Sequence, residues 1–155
     1  MKILDACCGG KMFWFDRENP DTTFMDMRDF DTILCDDRSF SVHPDVVGDF
    51  RNMPFDNETF DLVVFDPPHL KNVGEKSYIA TKYGKLDRET WQEDLRKGFD
   101  ECWRVLRFGG TLIFKWNERQ IKTSEVLKCF SHPPLFGNRS GKSWHTHWLV
   151  FCKAG

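Results

Sequence analysis

The chain has 155 residues, enough for one domain with a real core but not comfortably for two. Its 40% hydrophobic and 30% charged content is ordinary for a soluble globular protein, and no apolar run approaches the roughly 20 residues of a membrane span. The formal net charge of −2 excludes a global attraction to nucleic acid, so any such contact must come from local charge.

The N-terminal stretch "MKILDACCGG" is interrupted by Asp5 and does not follow a secretory leader pattern. The cysteines at 7, 8, 35, 102, 129 and 152 show no paired CxxC spacing, and neighbouring Cys7 and Cys8 would strain a mutual disulfide. Free thiols in a cytoplasmic setting are expected, with no metal. Fifteen Phe and six Trp serve the core, surface stacking, or both.

Residues 2–5 form a short apolar run that meets a small-residue turn, "ACCGG". Residues 11–17 read as a brief, aromatic-rich helix start. "TTFMD" (22–26) is a strand of β-type residues ending in an acid. "DTILCD" (31–36) reads as an extra strand, and "DVVGD" (45–49) as a third core strand. Residues 61–65 form the fourth. Residues 88–106 make the best helix, because Trp91, Leu95, Phe99, Trp103 and Leu106 recur at three- and four-residue steps. Gly109 or Gly110 should supply its stop. "TLIFKW" (111–116) is a fifth strand, residues 117–130 are expected to be helical, and "SWHTHWLVFCK" (143–153) alternates as a last strand. Strands alternating with crossovers imply one α/β domain over residues 1–155, with a mostly parallel sheet and helices on both faces.

Open sheets of this kind bind ligands beyond the carboxyl ends of their strands. Here those ends carry Asp5 with a glycine turn, then Asp26, Asp49 and Asp66. An acid after the second strand can accept from a ribose diol, and an acid after the third from an adenine amine. The turn is not GxGxxG, so a dinucleotide fingerprint is absent. The ordered recurrence of acids favours a nucleoside-type cofactor.

The succession "LDACCGG", "FMD", "VVGDFRNMPF", "FDLVVFDPPH" and "RVLRFGGTLIFKW" resembles a class I S-adenosylmethionine-dependent methyltransferase over almost the whole chain. "DPPH" is similar to the acid-Pro-Pro-aromatic motif of amino-methyltransferases that modify adenine N6 or cytosine N4, especially the small stand-alone enzymes of phages and prophages. Cys7 and Cys8 depart from the usual glycine-rich turn, His69 replaces the commoner aromatic, and there is no room for a separate target-recognition domain. The resemblance implies a Rossmann-like fold with an antiparallel C-terminal strand, and S-adenosylmethionine as cofactor. It implies that Asp5, Ala6, Cys7, Gly9 and Gly10 cradle the methionine part. Asp26, with Met27 or Arg28 nearby, would hold the ribose, and Asp49 and Phe50 would read the adenine. Asp66, Pro67, Pro68 and His69 would hold the amine that is methylated.

An exocyclic aromatic amine is a poor nucleophile because its lone pair is delocalised. A carboxylate and a backbone carbonyl that accept its two N–H groups keep density on nitrogen as charge develops. Consecutive prolines fix φ and remove competing donors, which suits Asp66 and the Pro67 carbonyl to that task. Read without the resemblance, "DPP" is a plain strand stop. His69 either stacks on a base or is a satisfied turn histidine.

Residues 71–88 form a long connector carrying Lys71, Lys76, Lys82, Lys85 and Arg88, together with Tyr78 and Tyr83. Basic residues interleaved with aromatics suit phosphate contact and base stacking, although a solvated loop has the same composition. Residues 126–155 contain no acid but carry Lys128, Arg139, Lys142, Lys153, His132, His145 and His147. The two regions are expected to form one basic side. Trp116 and Asn117 are expected to line the pocket, and Trp14 and Phe15 to pack the first helix or flank the cofactor. The substrate set, in order, is DNA, then RNA, a nucleotide or a protein glutamine amide. A non-catalytic cofactor-binding module is the rival class, and a homodimer or recognition partner would compensate for the small surface.

Overall fold

The computed structural model describes residues 1–74 and 77–154. In chain order it contains β1 (Ile3–Asp5), β2 (Thr22–Asp26), β3 (Phe30–Ile33), β4 (Ser39–Val42), β5 (Val46–Val47) and β6 (Phe60–Phe65). These are followed by α1 (Tyr78–Tyr83), α2 (Trp91–Val105), β7 (Leu106–Asn117), α3 (Thr123–Leu127), β8 (Phe136–Ser140) and β9 (Thr146–Cys152). Seven strands form one sheet in the order β5-β2-β1-β6-β7-β9-β8. The β5-β2-β1-β6-β7 pairs are parallel, and β9 runs antiparallel to both β7 and β8. Strand order reverses between β1 and β6, which opens a crevice at their carboxyl ends. β3 and β4 pair separately as an antiparallel hairpin.

The core lies on one face of the sheet. Trp91, Leu95, Phe99, Cys102 and Val105 form the buried stripe of α2. They share one apolar cluster with Leu4, Met25, Val63, Phe65, Leu112, Phe114 and Phe151. Gly98 lets the helix approach closely, since a Cβ there would lie 2.6 Å from the Phe50 ring and 2.7 Å from Phe65. Gly98→Ala should therefore overpack the contact and cost about 1–3 kcal/mol. The check is a lower urea midpoint at an unchanged slope.

Several elements differ from the sequence expectation. Residues 11–17 form turns instead of a helix, with Lys11 at φ 55°. The segment instead packs a partly buried Trp14 against Phe24 in an edge contact, 5.1 Å between centroids. The face it covers thus carries this loop where a helix was expected. The third core strand shrinks to the two residues of β5, half-exposed at the sheet edge. Helix α2 does not end on glycine: Leu106 turns directly into extended backbone, φ −78° and ψ 134°, and begins β7. Gly110 serves close packing instead, since its Cβ would lie 2.9 Å from the Asp61 carbonyl, beside a register shift between β6 and β7. Of residues 117–130, only α3 is α-helical. β8 has an exposed, polar pattern that hides its pairing with β9. No helix among the described residues is long and apolar enough to cross a membrane.

Candidate functional site

The sheet face opposite α2 collects charge at its carboxyl edge. Register places Val64 beside Ile113 and Phe65 beside Phe114, so one step further Asp66 meets Lys115. Lys115 Nζ donates to Asp66 Oδ2 at 3.1 Å, and Trp148 is the cross-strand neighbour of Lys115. Burial raises the Asp66 pKa above the ordinary carboxylate range, and Lys115 opposes that shift. Asp5, at the end of β1, is fully buried beneath the glycine turn. Trp14 Nε1 donates to its Oδ2 at 2.7 Å, and the Cys7 amide to its Oδ1 at 3.3 Å.

Desolvation pushes the Asp5 pKa up to about 7, against the lowering effect of the Trp14 hydrogen bond. The unfolded chain releases this proton near pH 4. Between pH 4 and 7 the folded state therefore holds more protons, and stability falls as pH rises through that window. Asp5→Asn should flatten this component, so that the wild-type minus variant difference in thermal midpoint declines between pH 5 and 8.

The glycine turn follows. The Gly9 amide donates to Asp26 Oδ2 at 2.9 Å, and Arg28 donates from its amide and Nε to Asp26 Oδ1 at 3.0 and 3.1 Å. Oδ1 thus accepts two donors, while Oδ2 accepts one and retains lone-pair capacity for a further donor. Arg28 also donates from Nη1 to the Thr81 carbonyl at 2.8 Å, tying the end of β2 to α1. Gly10 admits Phe40 of the β3–β4 hairpin, whose ring would lie 2.7 Å from a Cβ.

These elements surround an inner cavity of about 370 Å³. Ala6, Cys7, Gly9, Gly10, Asp26, Met27, Phe50, Asp66, Pro67 and Pro68 line it, together with Lys82 and Tyr83, whereas Asp5 does not. An outer cavity of about 210 Å³ is lined by Asp66, His69, Leu70, Ile79, Tyr83, Lys115, Asn117, Arg119 and Thr146. Asp66, Lys115 and Tyr83 belong to both and form the boundary between them. His69 faces Tyr83 with ring centroids 5.7 Å apart. Burial first, then the charges of Lys115 and Arg119, lower the His69 pKa to about 4, so its ring is neutral near pH 7.

Other expected residues stand elsewhere. Asp49 does not line the inner cavity; Arg51 grips both its carboxylate oxygens, from Nε at 3.0 Å and Nη2 at 2.7 Å. Trp116 is a core residue whose Nε1 donates to the Ile121 carbonyl at 2.9 Å, and its ring meets His69 only in a T-shaped contact at 6.3 Å. Lys71 lies over Trp91, at 5.6 Å, outside both cavities. Tyr78 packs on the hairpin cluster and accepts from Arg38 Nη2 at 2.6 Å. Phe15 is fully exposed and flanks neither cavity. Glu75 and Lys76 of the connector, and Gly155, lie outside the described residues.

The single basic side is also divided. Lys82 and Lys85 line the inner cavity, but Lys153 is buried at the opposite end, where Nζ donates to the Trp103 and Leu106 carbonyls at 2.7 Å each. His147 is buried with a carboxylate neighbour, 3.0 Å from Glu118 Oε1. Lys115 is the functional candidate missed in the sequence. Its signal is one cation in an apolar strand near the carboxyl edge, but strand register is needed to bring it to Asp66.

No family model and no curated protein matches the sequence. Solved structures do match in fold. The PH0226 protein of Pyrococcus horikoshii is 17% identical over 98% of this chain and 81% of its own, with a TM-score of 0.61. A TehB-like SAM-dependent methyltransferase of Corynebacterium glutamicum is 17% identical over 98% and 79%, with a TM-score of 0.53. A SAM-dependent methyltransferase of Leishmania major is 12% identical over 97% and 64%, with a TM-score of 0.56. The chain therefore shares the Rossmann-like α/β fold of these solved structures, two of which are named SAM-dependent methyltransferases, with a mostly parallel sheet and β9 reversed.

Proposed function

We propose that the protein is an S-adenosylmethionine-dependent methyltransferase acting on the exocyclic amine of a nucleobase, adenine N6 in DNA ahead of cytosine N4. The observation that carries this reading is the Asp66-Pro67-Pro68 corner, placed where a cavity at the strand switch point meets a second, aromatic-walled cavity. The neighbours named as SAM-dependent methyltransferases support the cofactor class.

The inner cavity fits the cofactor in size and donor set. A volume of about 370 Å³ lies in the range of small-molecule sites. Asp26 is suited to a ribose diol, the Cys7–Gly10 turn to the amino-acid part, and Phe50 with Met27 to a flat base. Asp49 is left out, because it does not line this cavity. When bound, S-adenosylmethionine supplies an activated methyl group.

The residues of this chain then have an acceptor to position. Asp66 and the Pro67 carbonyl accept the two N–H groups of the amine and localise its lone pair. Neutral His69 and Tyr83 offer flat surfaces without a charge to desolvate. The outer cavity is sized for one base, so a base in a duplex would have to be extruded into it. Exclusion of water around Asp66 strengthens its interaction with the developing positive charge on nitrogen.

Calorimetry with S-adenosylmethionine and its demethylated product tests the inner cavity, with saturable binding of both expected. Labelled methyl transfer into DNA, RNA and protein pools tests the acceptor, with label expected in DNA. Absence of binding would sink the enzyme reading; label confined to protein would move the acceptor to an amide.

A further inference from the structure

The Asp66 carboxylate has a partner that amine recognition alone does not explain. Lys115 Nζ lies 3.1 Å from Oδ2, and the two side chains are only 25% and 19% exposed. The Phe13 and Trp148 rings lie 5.3 and 5.5 Å from the same ammonium. One carboxylate and two aromatic faces thus form a built site for a cation, on the boundary of both cavities. The position matters because a positive group beside Asp66 opposes positive charge developing on an acceptor nitrogen. Its service must therefore come before the chemical step, in the state and direction of the carboxylate.

We propose that Lys115 is a positioning residue of the acceptor site, which holds the Asp66 carboxylate ionised and aimed at the boundary between the two cavities. The inference rests on the amine-methylation reading above. Other groups set the balance that Lys115 must win. Asp5, from β1, is negative when ionised and fully buried, so it opposes ionisation of Asp66. His69, on the same connector, is neutral, and Arg119 stands at the outer cavity. The thiol of Cys7, held protonated by burial, adds no charge. Lys115 is therefore the cation in hydrogen-bond contact with Asp66 among the described residues.

The test compares wild type, Lys115→Met and Lys115→Arg by carboxyl NMR of labelled aspartate, with the Asp66 signal assigned by Asp66→Asn. Lys115→Met should move the Asp66 titration midpoint up by about one unit or more. Lys115→Arg should stay near the wild-type midpoint. An unmoved midpoint in Lys115→Met overturns the proposal. In turnover, the acid limb of kcat/KM should shift upward by the same amount in Lys115→Met, with part of the loss recovered at alkaline pH. A uniform loss at every pH indicates a merely structural lysine and also overturns it. The carboxyl titration needs no turnover. Methyl transfer absent from all three proteins would therefore count against the proposed function, while the titration still decides the role of the pair.

Discussion

Asp66→Ala is expected to reduce methyl transfer by about 10²–10³-fold, the loss typical of removing one preorganised group from the site where charge develops. The carboxylate accepts one N–H of the acceptor amine, and that bond strengthens as nitrogen becomes positive. Alanine keeps the Pro67-Pro68 backbone but removes the acceptor. The substitution also strands Lys115, whose ammonium is then left with only the Phe13 and Trp148 rings. An unpaired, partly buried charge destabilises the fold, so part of the lost activity could come from unfolding. Asp66→Ala combined with Lys115→Met separates the two effects. The double variant should recover stability but not methyl transfer. Single-turnover rates with cofactor saturating are the measurement, and a rate within threefold of wild type would remove Asp66 from the mechanism.

The second large effect is on the scaffold. Phe99 is fully buried in the middle of α2. It stacks on Phe130 at 4.3 Å and on Trp103 at 5.7 Å, and meets the edge of Phe151 at 5.1 Å. Phe99→Ala should cost about 3–5 kcal/mol, from lost transfer free energy plus the cavity left behind. Domains are stable by only about 5–15 kcal/mol, so this variant should be close to unfolding at physiological temperature. The position matters for function because the cluster around Phe99 includes Phe65, the last residue before Asp66. Denaturant titration should show a much lower midpoint at unchanged slope. A loss below 1 kcal/mol would mean that α2 is not the main cover of the sheet.

The parts of this architecture legible in the sequence are those with local signals. β2 spans Thr22–Asp26, the bounds its β-type residues suggested. α2 lies where the apolar stripe was strongest, and Asp66-Pro67-Pro68 ends β6 at the cavity edge. What was not legible depends on residues distant in sequence. β8 has an exposed edge pattern and exists through its pairing with β9. Asp49 has the position of an adenine reader, but Arg51 two residues on captures it, and Asp94 of α2 fixes that arginine at 3.2 Å. Lys153 looks like a surface cation until its strand carries it under the carbonyls at the end of α2 and the start of β7. Lys115 reaches Asp66 through parallel register, which hydrophobic pattern alone does not specify.

In the proposed reaction the Asp66 corner presents a nucleobase amine to a methyl donor held in the inner cavity. Mass spectrometry of nucleosides from DNA and RNA, after incubation with the protein and deuteromethyl-labelled S-adenosylmethionine, tests this most directly. A labelled N-methyl nucleoside, N6-methyldeoxyadenosine from DNA foremost, is expected with wild type and should be lost with Asp66→Ala. Label on a ring carbon or ribose oxygen, or no label in any nucleoside while the cofactor binds, would contradict it.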